Sequence, residues 1–158
     1  IRDQPRSRGL GDVYKRQPAR DGKDQNPERI VSDLAVISRD INQERLNAYA
    51  RSSGDDNPLH LDPDFAAGTQ FGGIIAHGML TLAFISEMMV AAHGVDWLQT
   101  GNLRVRFKGA AYLGDHVRTW GTLTKDQDST LTYGVGANNL ATGQELITGS
   151  AGLTIIRE

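Results

Sequence analysis

One segment of the 158-residue chain carries side chains suited to proton transfer. Asp55 and His60 lie five positions apart, with Asn57 and Pro58 between them. A carboxylate beside an imidazole can orient or exchange a proton near neutral pH, which is what general acid–base catalysis requires. Each residue alone would indicate a turn or a surface position, because Asp-Asp-Asn-Pro is a common turn composition. Their combination predicts a catalytic site.

A second feature follows about twenty residues later. His77, Gly78 and Met79 open the most apolar stretch of the chain, residues 76–93, which predicts a helix. The first turn of a helix presents unpaired amide groups and the positive end of the helix dipole. Glycine also allows a ligand to approach the backbone closely. The Gly78 amide is therefore well placed to meet a negatively charged oxygen.

The elements before this helix must position the acidic loop. Residues 29–38 predict a first strand, and Asp40 with Gln43 predicts the start of a helix that ends at Gly54. Residues 55–73 form a long connection with one short helix, whose N-cap we expect to be Asp62.

The helix over residues 76–93 is apolar all round, so we expect it to be buried on every side. Met79, Met88 and Met89 are interpreted as core residues, and His93 as a structural residue at the end of the helix. After this helix, apolar residues alternate with polar ones, which predicts four antiparallel strands. The predicted strands fall near residues 103–108, 117–123, 130–135 and 146–156. The order and lengths of these elements fit an α+β hot-dog fold, in which an antiparallel sheet wraps around a long central helix.

Composition limits the classes of function. The chain has 17 basic and 19 acidic residues and a formal net charge of −2, which argues against nucleic-acid binding. It has no cysteine, so disulfides and thiolate chemistry are excluded. No apolar run is long enough to span a membrane, and we expect a cytoplasmic protein.

The beginning of the chain differs from the rest. Residues 1–17 contain five basic and two acidic residues without hydrophobic periodicity, and they resemble a translated sequencing adapter. The alternative is a native, disordered basic arm. We therefore expect residues 1–28 to be disordered or artefactual, and residues 29–158 to form the domain.

The motifs together resemble the MaoC-like, (R)-specific enoyl-CoA hydratase family. The similarity lies in Tyr49, the segment Gly54-Asp55-Asp56-Asn57-Pro58-Leu59-His60, and His77-Gly78-Met79, followed by residues 104–115. It extends over about residues 30–156. This resemblance implies a hot-dog fold and a hydro-lyase that adds water to trans-2-enoyl-CoA, or runs the reverse dehydration.

The resemblance also implies roles for individual residues. Asp55 and His60 would be the catalytic pair that activates one water molecule, although the sequence does not decide which is the acid and which the base. The Gly78 amide would donate to the oxyanion. The predicted substrate-binding residues are Asn57, Phe71, His77 and Met79.

Metal and cofactor chemistry is not expected. Asp55, His60, Asp62 and His77 offer oxygen and nitrogen ligands, but they lack the paired-histidine helix spacing of a metal site. Hydration of an enoyl thioester requires neither a metal nor a redox cofactor.

Three other functions remain open. The chain could act on 3-hydroxyacyl groups carried by acyl carrier protein, act as a hot-dog thioesterase, or serve as a non-catalytic subunit of a dehydratase. The basic residues Arg104, Arg106 and Lys108 are interpreted as a solvated strand face, with coenzyme A phosphates as a second interpretation. The expected partners are an acyl thioester and a second copy of the chain, since family members are generally homodimers.

Overall fold

The computed structural model describes residues 34–156 of the chain. The expected disordered or artefactual segment, residues 1–28, lies outside the described residues, as does the start of the predicted first strand. No helix among the described residues is long and apolar enough to cross a membrane.

Within residues 34–156, five antiparallel strands form one sheet. They are β1 (Ser38–Asp40), β2 (Asn102–Phe107), β3 (His116–Gln127), β4 (Thr130–Asn139) and β5 (Glu145–Thr154), in the spatial order β1-β3-β4-β5-β2. β3, β4 and β5 are joined by short turns, and β1 and β2 lie at the two edges. Asp128 and Ser129 both adopt positive φ in the β3–β4 turn, as a tight two-residue hairpin requires.

The described part of the chain also contains four α-helices. They are α1 (Gln43–Ser53), α2 (Pro63–Ala67), α3 (Gly78–His93) and α4 (Val95–Thr100), and a short 3₁₀ turn spans Pro58–His60. α3 packs against β3 and β4, and its Phe84, Ile85, Met88 and Met89 are buried among strand residues. The predicted α+β arrangement of a sheet around a central helix is confirmed.

The prediction that α3 is buried on every side is wrong. Met79 is 57% exposed, and Ala83, one turn later, is also exposed. These positions lie on one stripe of the helix, and the sheet covers only the opposite face. Met88 and Met89 are core residues as predicted, whereas Met79 is not.

Two local predictions also need correction. The N-cap of α1 is Asn42, whose side-chain oxygen accepts from the Arg45 amide at 2.9 Å, rather than Asp40. β1 covers only Ser38–Asp40, and the residues from Leu34 to Ile37 are not in a regular element. α4 was not predicted, because it directly follows the Gly94 terminator of α3.

Candidate active site

The loop after α1 is shaped by its own side chains. α1 ends at Gly54, which adopts a φ of 78°, and Asp62 caps α2 as predicted. Asn57 caps the 3₁₀ turn, its side-chain oxygen accepting from the Leu59 amide at 3.0 Å. The short turn therefore fixes where His60, its last residue, enters the domain.

His60 is held by one nitrogen and free at the other. The ring is 8% exposed, and Nδ1 lies 2.7 Å from the carbonyl oxygen of Ile75. Only a protonated nitrogen can donate to a carbonyl, so Nδ1 carries the hydrogen and Nε2 presents a lone pair in the neutral ring. Ile75 is itself fixed by a β-bridge to Tyr112.

His77 ties the acidic loop to the start of α3. Its Nε2 donates to the backbone oxygen of Asp55 at 3.0 Å, and its ring stacks on His60 with centroids 3.9 Å apart. Burial lowers the pKa of His77 below its usual range, and the neighbouring His60 ring adds to this effect. The hydrogen bond to the Asp55 backbone and the Asp55 charge raise the pKa, but they do not cancel the effect of burial. The imidazole is therefore neutral at physiological pH, and its buried Nδ1 has no hydrogen-bond partner among the described residues.

The carboxylate and the imidazoles converge. One ligand atom each from Asp55, His60 and His77 lies within 4.8 Å of the other two. A single water molecule can bridge two atoms at this separation through two hydrogen bonds of ordinary length. Asp55 itself is exposed, and its carboxylate accepts a long hydrogen bond of 3.4 Å from the Asn57 amide.

A shared metal ion fits this arrangement poorly. The His60 and His77 rings are stacked at an interplanar angle of 29°. Metal–nitrogen bonds lie in the plane of each imidazole, so stacked rings direct their lone pairs side by side rather than toward one point. Nδ1 of His60 and Nε2 of His77 are also committed to backbone oxygens.

A cavity of about 380 Å³ lies beside His60. Gly78 also lines it, and no side chain caps the start of α3, so the first amide groups of this helix remain available. The ring of Phe107 packs closely on Gly78. A Cβ atom at this position would lie only 3.1 Å from the ring. His60 and the first residue of α3 thus line the same cavity.

The predicted substrate-binding residues differ in whether they line the cavity. Phe71 lines the cavity, whereas Asn57, His77 and Met79 do not. Asn57 and His77 instead shape the loop that carries Asp55 and His60.

Sequence reasoning missed Thr81 and the cavity role of Phe107. Thr81 is 4% exposed and lines the cavity one helical turn after Gly78, and this i, i+3 spacing was a usable signal. Phe107 comes from the distant strand β2, and no local pattern connects it to the site.

The three basic residues in and directly after β2 differ in their position relative to the cavity. Lys108 lines the cavity and pairs with Glu145 at 3.8 Å. Arg104 and Arg106 lie on the opposite face of β2 from Phe107, away from the cavity. Of the three, only Lys108 is placed to meet a ligand there.

Comparisons with known proteins agree with this picture. The chain is 36% identical over 111 residues to "3-hydroxyacyl-thioester dehydratase Z" of Mycobacterium tuberculosis, covering 62% of this chain and 74% of the relative. It is 36% identical over 90 residues to an "(R)-specific enoyl-CoA hydratase" of Aeromonas caviae, covering 55% and 65%. The structure of "R-Hydratase PhaJ1" from Pseudomonas aeruginosa aligns with a TM-score of 0.69 and 28% identity, covering 78% of this chain and 80% of that one.

These findings confirm the predicted hot-dog fold and the prediction of an enzyme of the hydratase and dehydratase class. The profile of the family described as "MaoC like domain" matches residues 25–144, three quarters of the sequence. The chain therefore belongs to the MaoC-like domain family.

Proposed function

We propose that the protein hydrates trans-2-enoyl thioesters to (3R)-3-hydroxyacyl thioesters, or catalyses the reverse dehydration. The observation that supports this most strongly is the convergence of Asp55 and His60 beside a cavity that the start of α3 also lines. The names of the two relatives support the same reaction, and the name of the Aeromonas caviae relative supports the (R) configuration.

The tautomer of His60 suggests how water is added. Neutral His60 has its lone pair at Nε2, because Nδ1 donates to Ile75. In the proposed step, Nε2 takes a proton from the water as its oxygen attacks C3, and the same proton is returned to C2. Asp55 accepts a hydrogen bond from the second O–H of the water and orients it, and this hydrogen stays on the oxygen that becomes the 3-hydroxyl group. The balance is one water added across one double bond, with both residues restored.

We assign the stabilisation of the developing negative charge to a backbone amide. Negative charge appears on the thioester oxygen while C3 is attacked, and it must be stabilised. Gly78 lines the cavity at the start of α3, and its backbone amide is the proposed donor. Removing one donor of this kind typically costs roughly 3 kcal/mol of barrier lowering.

The reaction is tested with a simple substrate. The full chain should consume crotonyl-CoA, observed as loss of the enoyl-thioester absorbance, and chiral analysis should identify (3R)-3-hydroxybutyryl-CoA. Release of free thiol without loss of the double bond would support the thioesterase alternative and contradict the hydratase. Comparing rates on coenzyme A and acyl carrier protein thioesters separates the two carriers.

We also propose that the protein works as a homodimer. Phe107 at the cavity is 53% exposed, Met79 on α3 is 57% exposed, and Asp55 of the catalytic pair is also exposed. A second copy covering this apolar surface would exclude water from the site, which strengthens its electrostatics. Sedimentation should give twice the mass of the chain, and activity should fall on dilution below the dissociation constant. A fully active monomer would contradict this proposal.

A further inference from the structure

A second cluster of chemically competent side chains lies at the other edge of the sheet. Oγ of Ser38 is 3.0 Å from Nε2 of His116, and Nδ1 of His116 pairs with the carboxylate of Asp40. One ring nitrogen therefore meets a hydroxyl while the other meets a carboxylate. This is the connectivity of an activated nucleophile, a base and a group that orients the base.

The sheet fixes this arrangement. Asp40 and His116 are directly opposite in the β1–β3 register, and Ser38 lies two residues before Asp40 on the same face. Arg39, between them, points to the other face and pairs with Glu87 of α3. The imidazole thus lies along the strands on the face of the sheet away from α3, and it bridges two residues of β1.

A cation is placed beside the hydroxyl. Arg118 is directly opposite Ser38 in the same register and is exposed. Directly opposed side chains in an antiparallel pair have Cβ atoms about 5 Å apart. No ion pair of Arg118 occurs within residues 34–156. Its guanidinium can therefore approach an oxyanion that forms on a carbonyl attacked by Ser38.

We propose that Ser38 is a reactive nucleophile that takes acyl groups from activated esters. His116 removes the hydroxyl proton as Oγ attacks the ester carbonyl, and Asp40 stabilises the imidazolium that results. The tetrahedral intermediate then expels the alcohol, which receives the proton from His116, leaving an acyl ester on Ser38. Water, deprotonated by the same imidazole, can release the acid and restore the serine.

Solvent access defines the class of reagent. The side chains of His116 and Asp40 are 39% and 71% exposed, and neither residue lines the cavity beside His60. Because these side chains are open to solvent, we expect the acyl donor to be intrinsically reactive. Activated esters and fluorophosphonates meet this condition, whereas amides do not.

Labelling measures the reactivity of individual hydroxyls. The full chain is treated with a fluorophosphonate, and peptide mass spectrometry follows the modification of Ser38 over time. Ser53 is the internal reference, because its exposed hydroxyl donates to the Tyr49 carbonyl and has no imidazole beside it. We expect Ser38 to be labelled about tenfold faster than Ser53, or more.

Variants separate activation from structure. His116→Gln and Asp40→Asn should each lower the rate at Ser38 toward that of Ser53, and Arg118→Gln should lower it less. Thermal unfolding shows whether each variant keeps its fold, and Asp40→Asn provides the test if His116→Gln does not. Labelling of Ser38 no faster than Ser53, or labelling unchanged in a folded Asp40→Asn variant, would overturn the proposal.

Discussion

Two clusters in this domain combine a carboxylate with an imidazole, and their surroundings differ sharply. The first contains Asp55, His60 and His77, and its imidazoles are 8% and 1% exposed. The second contains Ser38, Asp40 and His116 on the outer face of the sheet, where the His116 side chain is 39% exposed. The first lies beside a cavity and the start of a long helix, and the second lies on open strands.

The comparison shows that residue types alone do not determine function. Both clusters can move a proton, and the first also adjoins a cavity and the start of a long helix, where developing charge can be stabilised. Electrostatic interactions are also stronger in a water-excluded site. The cluster beside the cavity is therefore assigned the proposed hydration reaction, and the cluster on the outer face of the sheet reacts with acyl donors that are already activated.

Replacing one histidine in each cluster should give the largest difference in the rate of hydration. His60→Gln should lower kcat/KM for crotonyl-CoA by about 10²- to 10⁴-fold, the range expected for loss of a general acid–base catalyst. His116→Gln should leave hydration essentially unchanged. Both rates come from the enoyl-thioester absorbance. Equal losses in the two variants would show that the clusters are not functionally separate.

A matched pair of glycines tests the backbone donor. In Gly78→Ala the new methyl group would lie 3.1 Å from the Phe107 ring and would narrow access to the amide, while a Cβ at Gly73 meets nothing within 4 Å. We expect a fall of roughly tenfold in kcat/KM for Gly78→Ala, well below the full cost of losing a donor. Gly73→Ala should match the wild type. An unchanged Gly78→Ala rate would argue against a substrate approaching this amide.

The lowered pKa of His77 predicts a smaller, pH-dependent effect on stability. Since burial disfavours the charged ring, the unfolded chain binds a proton more readily than the folded one, and stability falls as pH drops below about 6.5. One such proton contributes at most about 1.4 kcal/mol per pH unit. His77→Gln should therefore lose less free energy of unfolding than the wild type between pH 7.5 and pH 5.5. Urea titrations at both pH values measure this, and equal losses would contradict it.

Local signals in the sequence were sufficient for much of the framework. The apolar run of α3, the alternation in β2 and the Asp62 cap all act between neighbouring residues, and each appears in the structure. The order of paired motifs also led to the family. These features depend on periodicity and capping chemistry that a short window contains.

Features that depend on tertiary contacts were beyond such reasoning. The exposure of Met79 follows from which face of α3 the sheet covers, and Phe107 contacts Gly78 because the end of β2 lies beside the start of α3. The stacking of His77 on His60 requires the loop after α1 to fold back on the start of α3. These contacts join segments that are far apart in sequence.

Two neighbouring carboxylates allow the most direct test of the central claim, that Asp55 and His60 together activate water. Asp55 and Asp56 are both exposed and adjacent in the chain, but only Asp55 joins the cluster with His60. Initial rates of crotonyl-CoA hydration should therefore be nearly abolished in Asp55→Asn and unchanged in Asp56→Asn. Full activity of a folded Asp55→Asn variant, or equal losses in both, would contradict the account.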